Sequence, residues 1–320
     1  MSERVSRWPS VMRIVVPLCL LGLVFWSLDF HALLETFAGM AARDLLLGTA
    51  LGLLLVQLQI VLSAWRWHTT ATSLGQALSL SDAVREYYLS TLVNQSLPGG
   101  VVGDAARVVR SRQQSGIAVA AQSVLIERMA GQVVLALLVV VGLIAWPFVV
   151  DAARPVGAWT LLASVLVVAL LLCTIVFVVQ RLTSGRIGRF AASLWPALQR
   201  AWFANGAWQV QLLLSLAIVS SYLALFAVAA LTLGAPLPWI GLLTIVPLTL
   251  LTMLLPISVG GWGVREAAAA ILWPIVGLTA ESGVATSVLY GLLCLAGSLP
   301  GGLFVVRRAG RTDDPLPSRQ

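Results

Sequence analysis

The 320-residue chain is 59% hydrophobic and only 10% charged, too little polar surface to enclose a water-soluble globule. Its formal net charge of +7 would suggest nucleic acid in a soluble protein, but the apolar residues come in blocks long enough to span a bilayer and the basic ones fall mostly between blocks. That pattern excludes a nucleic-acid-binding domain, a disordered chain and a coiled coil, and it points to an all-α polytopic membrane protein.

In chain order, six segments are predicted to cross the membrane: about 11–28, 45–64, 122–149, 157–180, 207–233 and 283–306. The first follows Arg4, Arg7 and Arg13 and is read as a retained anchor, since Asp29, His31 and Glu35 follow it in place of a small-residue cleavage site. Every basic residue is arginine. With the N-terminus in the cytoplasm, only Arg43, Arg154 and Arg265 fall outside, and Arg128 lies at a membrane edge. Both termini are therefore expected in the cytoplasm, with 309–320 a polar tail. Trp8, Trp65, Trp67, Trp159, Trp202, Trp208 and Trp239 are expected at the interfaces. Cys19, Cys173 and Cys294 lie singly in apolar runs and are expected to be packing residues.

Two further stretches, 78–112 and 239–277, are partly apolar but interrupted by proline and glycine. Broken backbone at membrane depth survives only where protein or a wet cavity satisfies it, so these are the places to look for a site. Shifting one by 158 residues superposes Pro98 on Pro256, Gly103 on Gly261 and Arg107 on Arg265. A later shift of 164 superposes Ser123-Val124-Leu125 on Ser287-Val288-Leu289. The halves, about 11–150 and 157–306, thus read as a duplication within a single membrane domain. If each break is a re-entrant broken-helix pair, three intervening spans give the repeats inverted topology, an arrangement that in transporters puts the site near the midplane.

The chemistry of the breaks suits an anion. Glycine lets backbone N–H groups approach a ligand, a helix start concentrates positive partial charge, and guanidinium forks grip phosphate oxygens. The candidate substrate-binding residues are Asn94, Pro98, Gly99, Gly103, Asp104, Arg107 and Arg110, then Glu127 and Arg128 inside an apolar helix, and Pro256, Gly260, Gly261, Gly263, Arg265 and Glu266. Asp104 could instead cap its helix or pair with Arg107, Arg265 and Glu266 could form a local ion pair, and Glu127 and Arg128 could neutralise each other. Gly48-x3-Gly52 and Gly297-x3-Gly301 read as close helix packing. No metalloprotease, serine-hydrolase or nucleotide-binding signature is present, so neither catalysis nor a cofactor or metal is expected.

These residues carry a resemblance. Asn94, Leu97-Pro98-Gly99, Gly103-Asp104 and Arg107, then Glu127-Arg128, then the run from Pro256 to Glu266, resemble the transmembrane domain of the lysylphosphatidylglycerol synthase family, also called the flippase-like domain family. The resemblance covers about residues 10–308, with Val102 where the family usually has glycine. In full-length synthases a soluble aminoacyl-transfer domain follows, whereas here a short polar tail follows Arg311. The resemblance therefore implies the translocating half: a flippase for an anionic phospholipid or a polyprenyl-phosphate-linked lipid in the bacterial inner membrane. The alternative is a non-transporting membrane subunit that scaffolds or regulates a glycosyltransferase or lipid-modifying enzyme partner. Oligomers are compatible with either.

Overall fold

A computed structural model describes residues 42–97, 100–149, 185–254 and 260–309. The predicted spans 11–28 and 157–180 lie outside these residues, as do the candidates Pro98, Gly99 and Pro256. All the regular elements among the described residues are helical: α1 (Ala42–Ser73), α2 (Leu80–Ser96), α3 (Val102–Ser115), α4 (Ile117–Val149), α5 (Arg186–Phe203), α6 (Ala207–Thr232), α7 (Trp239–Leu251), α8 (Val264–Leu272), α9 (Ala280–Ser298) and α10 (Pro300–Ala309), with short 3-10 turns after α5, α7 and α8.

Among the described residues, four helical stretches are long and apolar enough to cross a membrane: Ala42–Ser73, Ile117–Trp146, Ala207–Thr232 and Ala280–Phe304. They coincide with four of the predicted spans, and the chain is an integral membrane protein. Small residues let these helices approach closely. A β-carbon on Gly52 would meet Leu293 of α9, and one on Gly297 would meet Val56 of α1, so both glycine pairs are packing features. Helices α1 and α6 run antiparallel, since Gly48 faces Thr232, Arg66 bonds Ser215 and Thr70 bonds Gln211. Helices α1 and α4 do the same, with Arg66 on Glu127 and Trp67 on Ser123.

Each broken stretch folds as an antiparallel pair of short helices. In the first, α2 and α3 face each other through Glu86 with Arg110, Tyr87 with Arg107, Ser90 with Asp104 and Asn94 with Gly103. In the second, a β-carbon on Gly241 of α7 would stand 3.4 Å from Val276 Cγ1 beyond α8, and Gly261 abuts Met253. The open ends of the two pairs lie far apart along α4. That helix starts just after Gly116 at the mouth of the first pair, and its Gly142 packs on Leu243 and Thr244 near the start of α7. At 1.5 Å per residue these points are separated by about 38 Å. The closed ends, by contrast, touch: a β-carbon on Gly260 would stand 3.0 Å from both the Cα and the carbonyl oxygen of Gln95.

The tryptophans divide. Trp65, Trp208 and Trp239 are about half exposed, as interface anchors would be. Trp67 is fully buried and donates its indole N–H to Ser123 Oγ, so its place is in the core and not at the interface. Arg66 and Arg107, counted from the sequence among cytoplasmic loop charges, are likewise interior residues. Cys294 is buried, as expected of a packing residue.

Candidate functional site

The first helix pair builds a cluster of ionised groups inside the bundle. Asn94, on the last turn of α2, accepts the Gly103 N–H through Oδ1 at 2.7 Å and so caps the start of α3 from outside. Gly103 is required there because a β-carbon would run into the Ser90 carbonyl. With the helix start already satisfied, Asp104 is free for ion pairing. It accepts from Arg107 Nη2 at 3.0 Å, Arg128 Nη2 at 2.6 Å, Asn94 Nδ2 at 3.1 Å and Ser90 Oγ at 3.2 Å.

Glu127 is the second carboxylate. It lies fully buried on α4 and receives Arg66 Nη2 at 2.7 Å, Arg107 Nη2 at 3.3 Å and the Tyr87 hydroxyl at 3.3 Å. Neutralisation between neighbours is therefore not what happens to Glu127 and Arg128: consecutive residues on a helix diverge, and they pair with Arg66 and Asp104 instead. Arg107 bridges both carboxylates while its guanidinium lies 4.4 Å from the Trp67 ring centroid and 4.6 Å from that of Tyr87. Both aromatic rings and the bridging role suit arginine's planar cation. Arg110 lies apart, paired with Glu86 at the mouth, so the structure does not join it to Arg107 on one gripping face.

The second helix pair holds a smaller constellation. Arg265 and Glu266 pair at 2.7 Å, and Ser287 of α9 ties them together, accepting from Arg265 Nε at 2.8 Å and donating to Glu266 Oε1 at 3.0 Å. Glu266 also turns back to accept the Gly263 N–H at 2.6 Å, which caps α8. Trp262 and Tyr290 flank the Arg265 guanidinium at 5.1 and 5.0 Å. Gly260 and Gly261 form the turn that leads into this cluster and face Gln95 and Met253.

Sequence reasoning missed Arg66, Trp67, Tyr87, Ser90 and Gln95 in the first constellation and Trp262, Ser287 and Tyr290 in the second. Ser287 carried a signal, since it aligned with Ser123 in the repeat.

The family profile of the lysylphosphatidylglycerol synthase TM region matches residues 10–301, and the chain belongs to that family. Comparison with curated proteins found no match. Family and fold together define a membrane protein of lipid-related type.

Proposed function

We propose that this chain is a lipid translocator, with no catalytic step of its own, that moves an amphiphile with an anionic head group between leaflets of the bacterial inner membrane. The observation that carries this reading is the pair of helical hairpins whose mouths lie at opposite ends of α4 and whose tips meet at Gln95 and Gly260. The separation of the mouths, about 38 Å, exceeds a hydrocarbon core of about 30 Å, which supports hairpins re-entering from opposite faces. Inverted broken elements meeting at mid-depth are a framework for alternating access. The arginine distribution supports the first hairpin opening to the cytoplasm, both termini lying on that side.

In this reading each hairpin is a gate, and separation of the tips on one side at a time exposes the polar interior to one leaflet. An anionic phospholipid or polyprenyl-phosphate-linked lipid is the cargo that arginine-lined interiors favour. The driving force is the lipid gradient or a coupled ion. Reconstitution into liposomes with fluorescent phospholipids and a polyprenyl-phosphate lipid tests the proposal directly: protein-dependent transbilayer movement is expected, and none for any of these lipids would overturn it.

A further inference from the structure

The two buried arginine constellations differ in charge. Among the described residues around Arg107, three guanidiniums (Arg66, Arg107 and Arg128) face two carboxylates (Asp104 and Glu127), an excess of one positive charge. Around Arg265, one guanidinium faces one carboxylate. Guanidiniums cannot shed a proton to relieve an excess, and an uncompensated charge in a protein interior is destabilising. The donors tell the same story. Among the described residues, fully buried Arg107 finds no acceptor for its Nε and Nη1, and buried Nε atoms of Arg66 and Arg128 also lack one; at the second constellation, among the same residues, Arg265 Nη1 alone is unmatched. The Trp67 and Tyr87 rings lie 4.4 and 4.6 Å from the Arg107 guanidinium but supply no hydrogen-bond acceptor to its Nε and Nη1.

We infer that the Arg66–Arg107–Arg128 cluster is a site for one monoanionic lipid phosphodiester, and that Arg265 belongs to a charge-balanced latch with no anion of its own. The inference rests on the reading of the chain as a handler of anionic lipids and names the cargo class and the hairpin that holds it. The entrance is Arg128. Its side chain is 41% exposed, and its neighbours on α4, Leu125 and Met129, are exposed apolar residues, so a head group can reach the guanidinium while acyl chains lie along the helix. The phosphodiester then supplies the missing negative charge and accepts from the free edges of the fork. Asp104 and Glu127 set the capacity of the site: with two carboxylates already in place, one charge remains to be matched.

The test is lipid binding to the detergent-purified full chain, read by native mass spectrometry, with dioleoylphosphatidylglycerol, the zwitterionic dioleoylphosphatidylcholine and the more highly charged dioleoylphosphatidic acid, and with inorganic phosphate as a competitor. Phosphatidylglycerol is expected to bind in preference to phosphatidylcholine. Arg107→Gln should weaken it by about tenfold or more, and the half-exposed Arg128→Gln, which is safer for folding, by a smaller factor in the same direction. Arg265→Gln should weaken it less than Arg107→Gln. Glu127→Gln adds one net positive charge at nearly constant shape and should shift preference toward phosphatidic acid. Equal binding of phosphatidylcholine and phosphatidylglycerol would overturn the inference, as would equal losses at Arg107 and Arg265, or a folded Glu127→Gln with unchanged preference. Inorganic phosphate displacing the lipid at comparable concentration would remove the lipid assignment. Movement assayed after the same protein is reconstituted into liposomes separates the two claims: selective binding without movement leaves this site standing and removes translocation, and movement without charge selectivity does the reverse.

Discussion

Glu127 and Gly291 each lie four residues after the serine of a Ser-Val-Leu segment and each face a fully buried arginine, but one offers a carboxylate and the other only space. The β-carbon missing from Gly291 would overlap Arg265 Nη2 and come within 2.8 Å of Trp262 Cη2. Arg265 occupies that space and takes its counter-charge from its own neighbour, Glu266.

Gly291→Ala should therefore act as an overpacking substitution and lower stability by about 1–3 kcal/mol. Thermal unfolding in detergent measures this. Unchanged stability would mean that the Arg265 and Trp262 side chains yield freely.

Gly260→Ala tests the tip contact. Its φ of 56° is a left-handed conformation, and the added methyl would press on backbone atoms of Gln95. Strain of about 1–3 kcal/mol is expected. Because the obstructing atoms include Cα and the carbonyl oxygen, Gln95→Ala in the same chain should not restore stability. Rescue by that second change would place the conflict in the Gln95 side chain.

At Arg107, lysine keeps a positive charge but loses the planar cation that lies against Trp67 and Tyr87 while reaching two carboxylates. Lipid movement should fall in Arg107→Lys while the protein stays folded. Arg107→Ala should also lose about 3–5 kcal/mol, as a broken buried ion pair does. Normal movement by the alanine variant would take Arg107 out of the transport path.

The orientation is checked by cysteine labelling with a membrane-impermeant maleimide applied from outside. Arg112 on α3 and Thr279 before α9 are both exposed and lie at opposite mouths. A cysteine at 279 should be labelled and one at 112 protected until the membrane is permeabilised. The opposite pattern would invert the topology.

The long helices were legible in the sequence because a lipid-facing helix must be apolar over its whole length, which is why 45–64, 122–149, 207–233 and 283–306 coincide with α1, α4, α6 and α9–α10. The interruptions at Asn94–Arg107 and Pro256–Glu266 were legible as places of special chemistry for the same reason. Arg66 was not, because a cation near the end of an apolar run reads as a boundary. Helix α1 continues to Ser73 past it, and its partner is Glu127, 61 residues away in sequence. Arg110 misled in the other direction: its spacing from Arg107 suggested a shared face, but Glu86 draws it toward the mouth. Helix α5 went unread because its arginines, mixed with Trp195 and Phe203, break the apolar pattern that marks a span.

In the cluster at the first hairpin every cation is an arginine, whose charge does not change at any pH a membrane encounters. A proton entering it can be held only by Asp104 or Glu127, and there it would enlarge the positive excess and not diminish it. Protons and a bound anion would then favour each other's occupancy.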